Sequence, residues 1–326
     1  MARRLISTSR SEIRRMGAMD LKQSIRSSEG RVVLCQNYVG MAPLADGTTN
    51  AELSQAFGAD MIFFNGYSMD DTKPQPGLMV DEWSESDGAF VQKCYRLKEM
   101  KRLVDLPLGI YLECGAGDDS TVSTAPGRRL VRTDRIASAE NLQKARDEGC
   151  DFIVLAGNPG TRTTYGMIVE ATRAAKKIIG ESMLIFAGKW EDGVHEKVLG
   201  DPLMPMEQHK EFIMDLIDAG ADVICMPMPG CRPGIIMEDI RELTTFTHLY
   251  DGRHTLVMSF LDCSVEGADE QTVRQCTLWS KMTGADIHAI GDAGLAGMSI
   301  PEDIYAMSIA LKGRRLTFRR LGGTRR

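Results

Sequence analysis

Apolar, β-branched runs recur along the chain at residues 32–35, 61–64, 108–112, 152–156, 183–187, 223–226, 256–261 and 287–290. Each ends in a polar or glycine-rich turn, and the stretches between them carry helical spacing. Runs that are apolar nearly throughout, rather than at alternate positions, suit strands buried on both faces. Strand, loop and helix repeated in this way predict an α/β fold, a (β/α)8 TIM barrel of parallel strands. In such a barrel the chemistry sits on the loops that follow the strands, whatever the reaction.

The intervening pattern predicts helices over 19–27, which would cap the barrel bottom, over 51–57 with Asn50 as N-cap, and over about 89–104. Further helices are expected from Ser138 to about 148, and over 164–179, 207–219 and 270–282, with a last one starting at Pro301. Three connections are long: 66–88, 115–137 and 190–205. Four helix-to-strand joints look alike: Phe57-Gly58-Ala59-Asp60, Glu148-Gly149-Cys150-Asp151, Ala219-Gly220-Ala221-Asp222 and Thr283-Gly284-Ala285-Asp286. Glycine past a helix end permits a left-handed cap, so these joints are expected to be structural. The domain expectation is an N-terminal extension over 1–30, one barrel over 31–315 and a basic tail over 316–326.

Composition narrows the classes. A chain of 326 residues with 43% apolar content is enough for one barrel with extended loops. A net charge of −6 argues against a nucleic-acid partner. Basic residues nevertheless crowd the ends, as Arg3, Arg4, Arg10, Arg14 and Arg15, and as Arg314, Arg315, Arg319, Arg320, Arg325 and Arg326. Solvated tails are the plain expectation for them. No run approaches the roughly 20 apolar residues of a membrane helix, and the start lacks the apolar segment of a secretory signal. The eight cysteines form no C-x-x-C pair and several lie inside apolar runs. That pattern predicts reduced thiols in a cytoplasmic protein, without structural zinc.

Polar residues at the end of a buried strand need a reason, and at that face of a barrel the usual reason is a ligand. The strand ends offer Asn37, Asn65, Glu113, Asn158, Lys189, Ser259, Asp262, His288 and Asp292. Lys189 would neutralise a phosphate or carboxylate as a point charge, or form a Schiff base if burial lowered its pKa; the first role needs no special environment. Glu113 would serve as a general base or, with Asp118 on the following loop, hold Mg²⁺. The plain expectation for the loop pair Asp118-Asp119 is that both are solvated. His288 is a candidate acid or base, and His195 lies on the long connection 190–205, from which it could reach in. Asn37, Asn65, Asn158, Ser259 and Asp262 would orient a substrate. The turns 157–161 and 291–297 are rich in glycine, and Gly291, Gly294 and Gly297 are candidates for phosphate binding through freed backbone N–H groups. No organic cofactor is indicated.

Several of these motifs occur together in a known family. Ala42-Pro43-Leu44-Ala45-Asp46-Gly47, Asn50-Ala51-Glu52-Leu53, Asn158-Pro159-Gly160-Thr161, Ala187-Gly188-Lys189, Ile290-Gly291-Asp292-Ala293-Gly294 and Lys312-Gly313-Arg314-Arg315 resemble an uncharacterised bacterial family of (β/α)8 proteins. Its members are labelled hydrolase-like or associated with sugar phosphotransferase operons. The resemblance spans about residues 19–320 and implies the barrel and the Asn158, Lys189 and Gly291–Gly294 positions, but no reaction. Phosphoenolpyruvate-mutase and isocitrate-lyase barrels share a carboxylate-rich site; their cysteine-containing catalytic loop is not visible here, so that likeness stays at the level of fold.

The expectation is an enzyme acting on a small phosphorylated or carboxylated metabolite by lyase, aldolase or isomerase chemistry, assembled as a homo-oligomer. The alternative is a ligand-sensing or assembly protein on the same scaffold, without turnover.

Overall fold

A computed structural model describes residues 3–119, 129–191, 195–252 and 255–323. Arg128, Arg325 and Arg326 lie outside the described residues. The strands in chain order are β1 (Val32–Tyr38), β2 (Met61–Asn65), β3 (Met79–Ser84), β4 (Ala89–Cys94), β5 (Leu108–Glu113), β6 (Phe152–Ala156), β7 (Leu184–Gly188), β8 (Val223–Pro227), β9 (Leu256–Leu261) and β10 (Ile287–Ile290). All but β3 and β4 close into one barrel in the order β1-β2-β5-β6-β7-β8-β9-β10, every pair parallel. The molecule is a TIM barrel.

The helices are α1 (Arg10–Ile13), α2 (Ala18–Arg26), α3 (Asn50–Ala56), α4 (Leu97–Leu103), α5 (Ala139–Asp147), α6 (Tyr165–Ile179), α7 (Met206–Ala219), α8 (Met237–Leu249), α9 (Glu270–Thr283) and α10 (Pro301–Leu321). None among the described residues is long and apolar enough to cross a membrane. Asn50 is the first residue of α3 rather than its cap; Thr49 caps it, with its side chain and that of Glu52 satisfying each other's backbone N–H groups.

The helix expected over 89–104 is a correction. Its first half is β4, which pairs antiparallel with β3 and sets Trp83 opposite Phe90. Their rings meet edge-on at 5.4 Å, a cross-strand aromatic pair that favours the hairpin over a helix. Only Leu97–Leu103 is helical.

Strand alternation divides the core in two. Leu34, Phe63, Tyr111, Phe152, Val154, Phe186, Trp190, Met258 and Phe260 fill the barrel interior, with Phe152 and Phe186 4.7 Å apart. Val33, Ile62, Ile110, Ile153, Ile185, Ala187, Ile224 and Val257 face outward against the helices. Leu5, Ile6, Ile13, Leu21 and Ile25 join the interior set, so the N-terminal segment plugs the barrel bottom.

The C-terminal residues are not a solvated tail as far as Gly323. Helix α10 bends at Gly313 (φ 69°), and beyond the bend Leu316, Thr317 and Arg320 are buried. Arg320 donates to Asp60 Oδ1 at 2.8 Å and to the Leu5 carbonyl, tying both ends of the chain together under the barrel.

Candidate active site at the barrel mouth

The same alternation sorts the strand-end residues. On β1, Leu34 points inward, so Gln36 does too and Asn37 does not. Asn37 donates to Ser54 Oγ on α3 at 3.1 Å, outside the barrel. Lys189 also turns outward, between Ala187 on the helix side and Trp190 in the interior. Its ammonium is held by Glu196 at 2.7 Å and the Thr163 carbonyl at 2.9 Å, over the Tyr165 ring. The placement expected for Lys189, with its ammonium in the barrel mouth, is therefore corrected. His288 faces outward as well: Ser280 Oγ lies at 2.7 Å and the Gly30 carbonyl at 3.1 Å from its ring nitrogens. Burial drives its pKa down to about 4, so it stays neutral and structural. Ser259 pairs with His288 in register and is fully buried on that face. His195 is exposed on its loop.

Asn65, Glu113, Asn158 and Asp262 do converge. Asn158 donates its backbone N–H to Glu113 Oε2 at 3.0 Å and its side-chain amide to Oε1. Asn65 Nδ2 in turn donates to Asn158 Oδ1 at 3.4 Å. Glu113 is 4% exposed. Burial pushes its pKa up to about 7, against the pull of the Asn158 hydrogen bonds and of the Arg129 guanidinium. The Tyr111 hydroxyl lies beside it yet has no aligned hydrogen-bond partner.

The loop after β5 folds back over these groups. Ala137 N donates to the Glu113 carbonyl at 2.8 Å, and Arg129 N to the Gly160 carbonyl at 2.8 Å. Arg129, Arg132 and Arg135 thereby rim a cavity of about 90 Å³ floored by Tyr111, Glu113 and Asn158. That is room for roughly three waters, or for one carboxylate or phosphate group. Arg132 is forked onto Asp134, while Arg135 Nε is buried without a partner. A larger hollow of about 710 Å³ lies on the flank, against α7 and α8. Its Lys210 is already paired with Glu207 and Glu242, so it offers no comparable chemistry.

Two expectations at this face are corrected. The turn 291–297 is no open anion cradle, because Glu266 fills it. Glu266 Oε1 accepts the Ala293 N–H at 2.8 Å, and Asp292 Oδ1 accepts the Gly294 N–H at 3.0 Å. A Cβ on Gly291 would lie 1.6 Å from Glu266 Oε2, and one on Gly297 would lie 2.5 Å from the Tyr38 carbonyl oxygen. These glycines make room for protein rather than for phosphate. For Mg²⁺, Glu113 and Asp118 belong to no ready-made ligand set: no group of three His, Cys, Asp or Glu among the described residues stands close enough to hold a metal ion, and each Glu113 oxygen accepts one hydrogen bond from Asn158. Asp119 is not simply solvated: it pins the loop by accepting from Thr133 N at 2.9 Å and Thr133 Oγ1 at 2.7 Å.

A second group of acids was missed. Glu191 follows Trp190, and its carboxyl stands beside that of Asp262. Burial and the neighbouring Asp262 hold the Glu191 pKa well above the carboxylate range. Arg232 Nη2 stands 3.6 Å from Asp262 Oδ2. Gln36 Nε2 donates to Asp292 Oδ2 at 2.7 Å. Gln36 shares a face of β1 with Leu34, but a strand buried on both sides does not show in its sequence which face turns inward. Glu191 and Arg232 lie beyond strand ends on loops, where no periodicity announces them.

Comparisons with known proteins agree on the fold. The chain is similar to a complete multifunctional pyruvate carboxylase from Rhizobium etli, with 14% identity and a TM-score of 0.52, covering 96% of this chain and 28% of that one. It is similar to the carboxyl transferase domain of the same enzyme, with 13% identity and a TM-score of 0.51, covering 96% of this chain and 51% of the other. A 2,3-dimethylmalate lyase of the PEP mutase/isocitrate lyase superfamily aligns at 14% identity and a TM-score of 0.45, covering 85% and 82% of the two chains. No curated protein sequence matches. The profile described as "Domain of unknown function (DUF7916)" matches residues 6–326, and the chain belongs to that family.

Proposed function

We propose that the protein is an enzyme acting on a small carboxylated or phosphorylated metabolite, with Glu113 as the base that generates an enolate. Many lyase, aldolase and isomerase reactions pass through such a species. The observation that carries this reading is Glu113 itself: a carboxyl 4% exposed, with a pKa near 7, on the floor of a cavity rimmed by arginines. A base poised near the working pH combines the right protonation state with driving force for proton transfer. Arg129 and Arg135 would hold the substrate anion, the role expected of Lys189. Asn158 orients the Glu113 carboxylate, and Asn65 steadies Asn158.

The test is C–H exchange in D2O, followed by NMR, over a panel of 2-oxo and 2-hydroxy carboxylates and their phosphate esters. Wild type should exchange a substrate proton, faster as pH rises through about 7 and Glu113 ionises. Glu113→Gln should slow exchange by about 100-fold or more while the melting temperature stays nearly constant. Undiminished exchange in Glu113→Gln would remove Glu113 from the reaction. Binding of panel members without exchange would favour a sensing barrel instead.

A further inference from the structure

Asp262 follows directly on β9, four strands around the eight-stranded barrel from Glu113 at the end of β5, so the two carboxyls face each other across the mouth. Glu191 and Asp262 are 7% and 8% exposed and their carboxyls stand side by side. Glu191 Oε2 and Asp262 Oδ2 receive no N–H or O–H donor, and the Arg232 guanidinium at 3.6 Å is an ion-pair neighbour rather than a hydrogen bond. Two buried carboxylates in contact cannot both stay ionised, and one proton between them satisfies both oxygens. Asp262 also accepts the Cys263 backbone N–H, so the charge belongs on Asp262 and the proton on Glu191. Cys263 supplies that N–H from a backbone region that favours glycine (φ 73°), strain of a kind found where a site is held in place.

An independent feature points to a ligand between the acids. The Tyr111 hydroxyl is 2% exposed, lines the cavity and has no aligned partner, with Glu113, Glu191 and Asp262 all near it. Its contact with Glu113 is too poorly aligned to satisfy it, and an enolate oxygen would supply a better-placed acceptor.

We propose that Glu191 and Asp262 form a proton-sharing carboxyl pair that acts as the general acid of this site, opposite Glu113. The proposal rests on the enolate chemistry proposed above. Glu113 takes a proton from substrate, the electron pair moves onto the carbonyl oxygen, and Glu191 transfers its proton to that oxygen. Both members of the pair are ionised beside Arg232 only while the enol exists; the enol oxygen returns its proton to Glu191 as Glu113 hands a proton back to carbon, which restores every group.

Other titratable groups face the pair, and the test must separate them. Glu266 and Asp292 lie on the β9 and β10 side, Glu113 and Tyr111 on the β5 side, and the Cys263 thiol beside Asp262. Glu266 holds its proton to about pH 9, so infrared titration is best done in a Glu266→Gln background. There, a protonated-carboxyl C=O band should persist at pH 8, and Glu191→Gln should remove it. Asp262→Asn should shift ionisation of Glu191 to lower pH by removing the adjacent anion. A band unchanged by Glu191→Gln overturns the shared proton. Should Glu191→Gln fail to fold, Glu191→Asp must keep the band or the proposal falls.

The second arm is the pH profile of C–H exchange, which should rise near 7 and fall at higher pH as the pair loses its proton. Glu191→Gln should lower the maximum by about 100-fold and abolish the falling limb. A falling limb that survives overturns the acid role. Absence of exchange by wild type on every panel member defeats the enolate reading and the acid role with it; the infrared arm still decides whether the pair shares a proton.

Discussion

Glu266 occupies the place where a bound anion would otherwise sit. Its carboxyl is 6% exposed and its pKa is raised to about 9 by burial, then by Asp262 and Asp292. In the unfolded chain the same group ionises near 4.5. The folded state therefore holds an extra proton between about 4.5 and 9. Its stabilising contribution is complete below that window and is lost as pH rises through it. Glu266→Gln keeps the shape and removes the titration. Urea unfolding should show the variant more stable than wild type at pH 8, by on the order of 1 kcal/mol or more, with the difference shrinking toward pH 5. A pH-independent difference would mean that Glu266 is not the group that titrates.

At the scale of elements, the four glycine-containing joints do more than reverse the chain. Each aspartate reaches across to the start of the preceding barrel strand. Asp60 Oδ2 accepts from Val33 N at 2.9 Å, Asp151 Oδ2 from Leu108 N at 2.8 Å, Asp222 Oδ2 from Ile185 N at 3.1 Å and Asp286 Oδ2 from Val257 N at 2.9 Å. The repeated carboxylate thus caps strand N–H groups that the ladder leaves open. Gly284 makes one such joint possible at φ 88°, with nothing nearer than 3.8 Å to an added Cβ. Gly284→Ala should therefore cost backbone strain alone, about 1–2 kcal/mol in chemical unfolding. A loss well above that would point to crowding that the structure does not contain. The repeated Gly-x-Asp spacing was plain in the sequence, and its hydrogen bonds were not, because they join residues 27 to 43 positions apart.

For the molecule as a whole, closure depends on charges buried under the barrel. Asp60 and Lys312 are fully buried and Arg320 is 4% exposed. Lys312 donates to Asp60 Oδ2 and to the Gly58 carbonyl, and Arg320 to Asp60 Oδ1. Removing the carboxylate leaves two cations without their counter-charge. Asp60→Asn should cost about 3–5 kcal/mol, the usual penalty for breaking a buried ionic group by removing one partner. It should also expose α10 to proteolysis near Gly313. Burial lowers the Lys312 pKa to about 8, although Asp60 opposes the shift. Without Asp60 the neutral amine should become the favoured form at neutral pH. A neutral Asp60→Asn effect on stability would show that the cluster specifies geometry rather than stability.

The sequence by itself determined the barrel. Short apolar runs rich in β-branched residues suit strands buried on both faces, and eight of them separated by helical stretches suit a closed parallel barrel. It determined where to look, at the strand ends, and it named Glu113, Asn65, Asn158 and Asp262. Tertiary structure decided which strand-end residues face the mouth. One step along a strand reverses a side chain, so Asn37, Ser259 and His288 fell on the helix side with Lys189, and no composition distinguishes the two faces when both are buried. It also decided what fills the glycine turn and what faces Asp262, because Glu266 and Glu191 arrive from loops. Their positions follow from chain closure in three dimensions, and local periodicity carries no information about it.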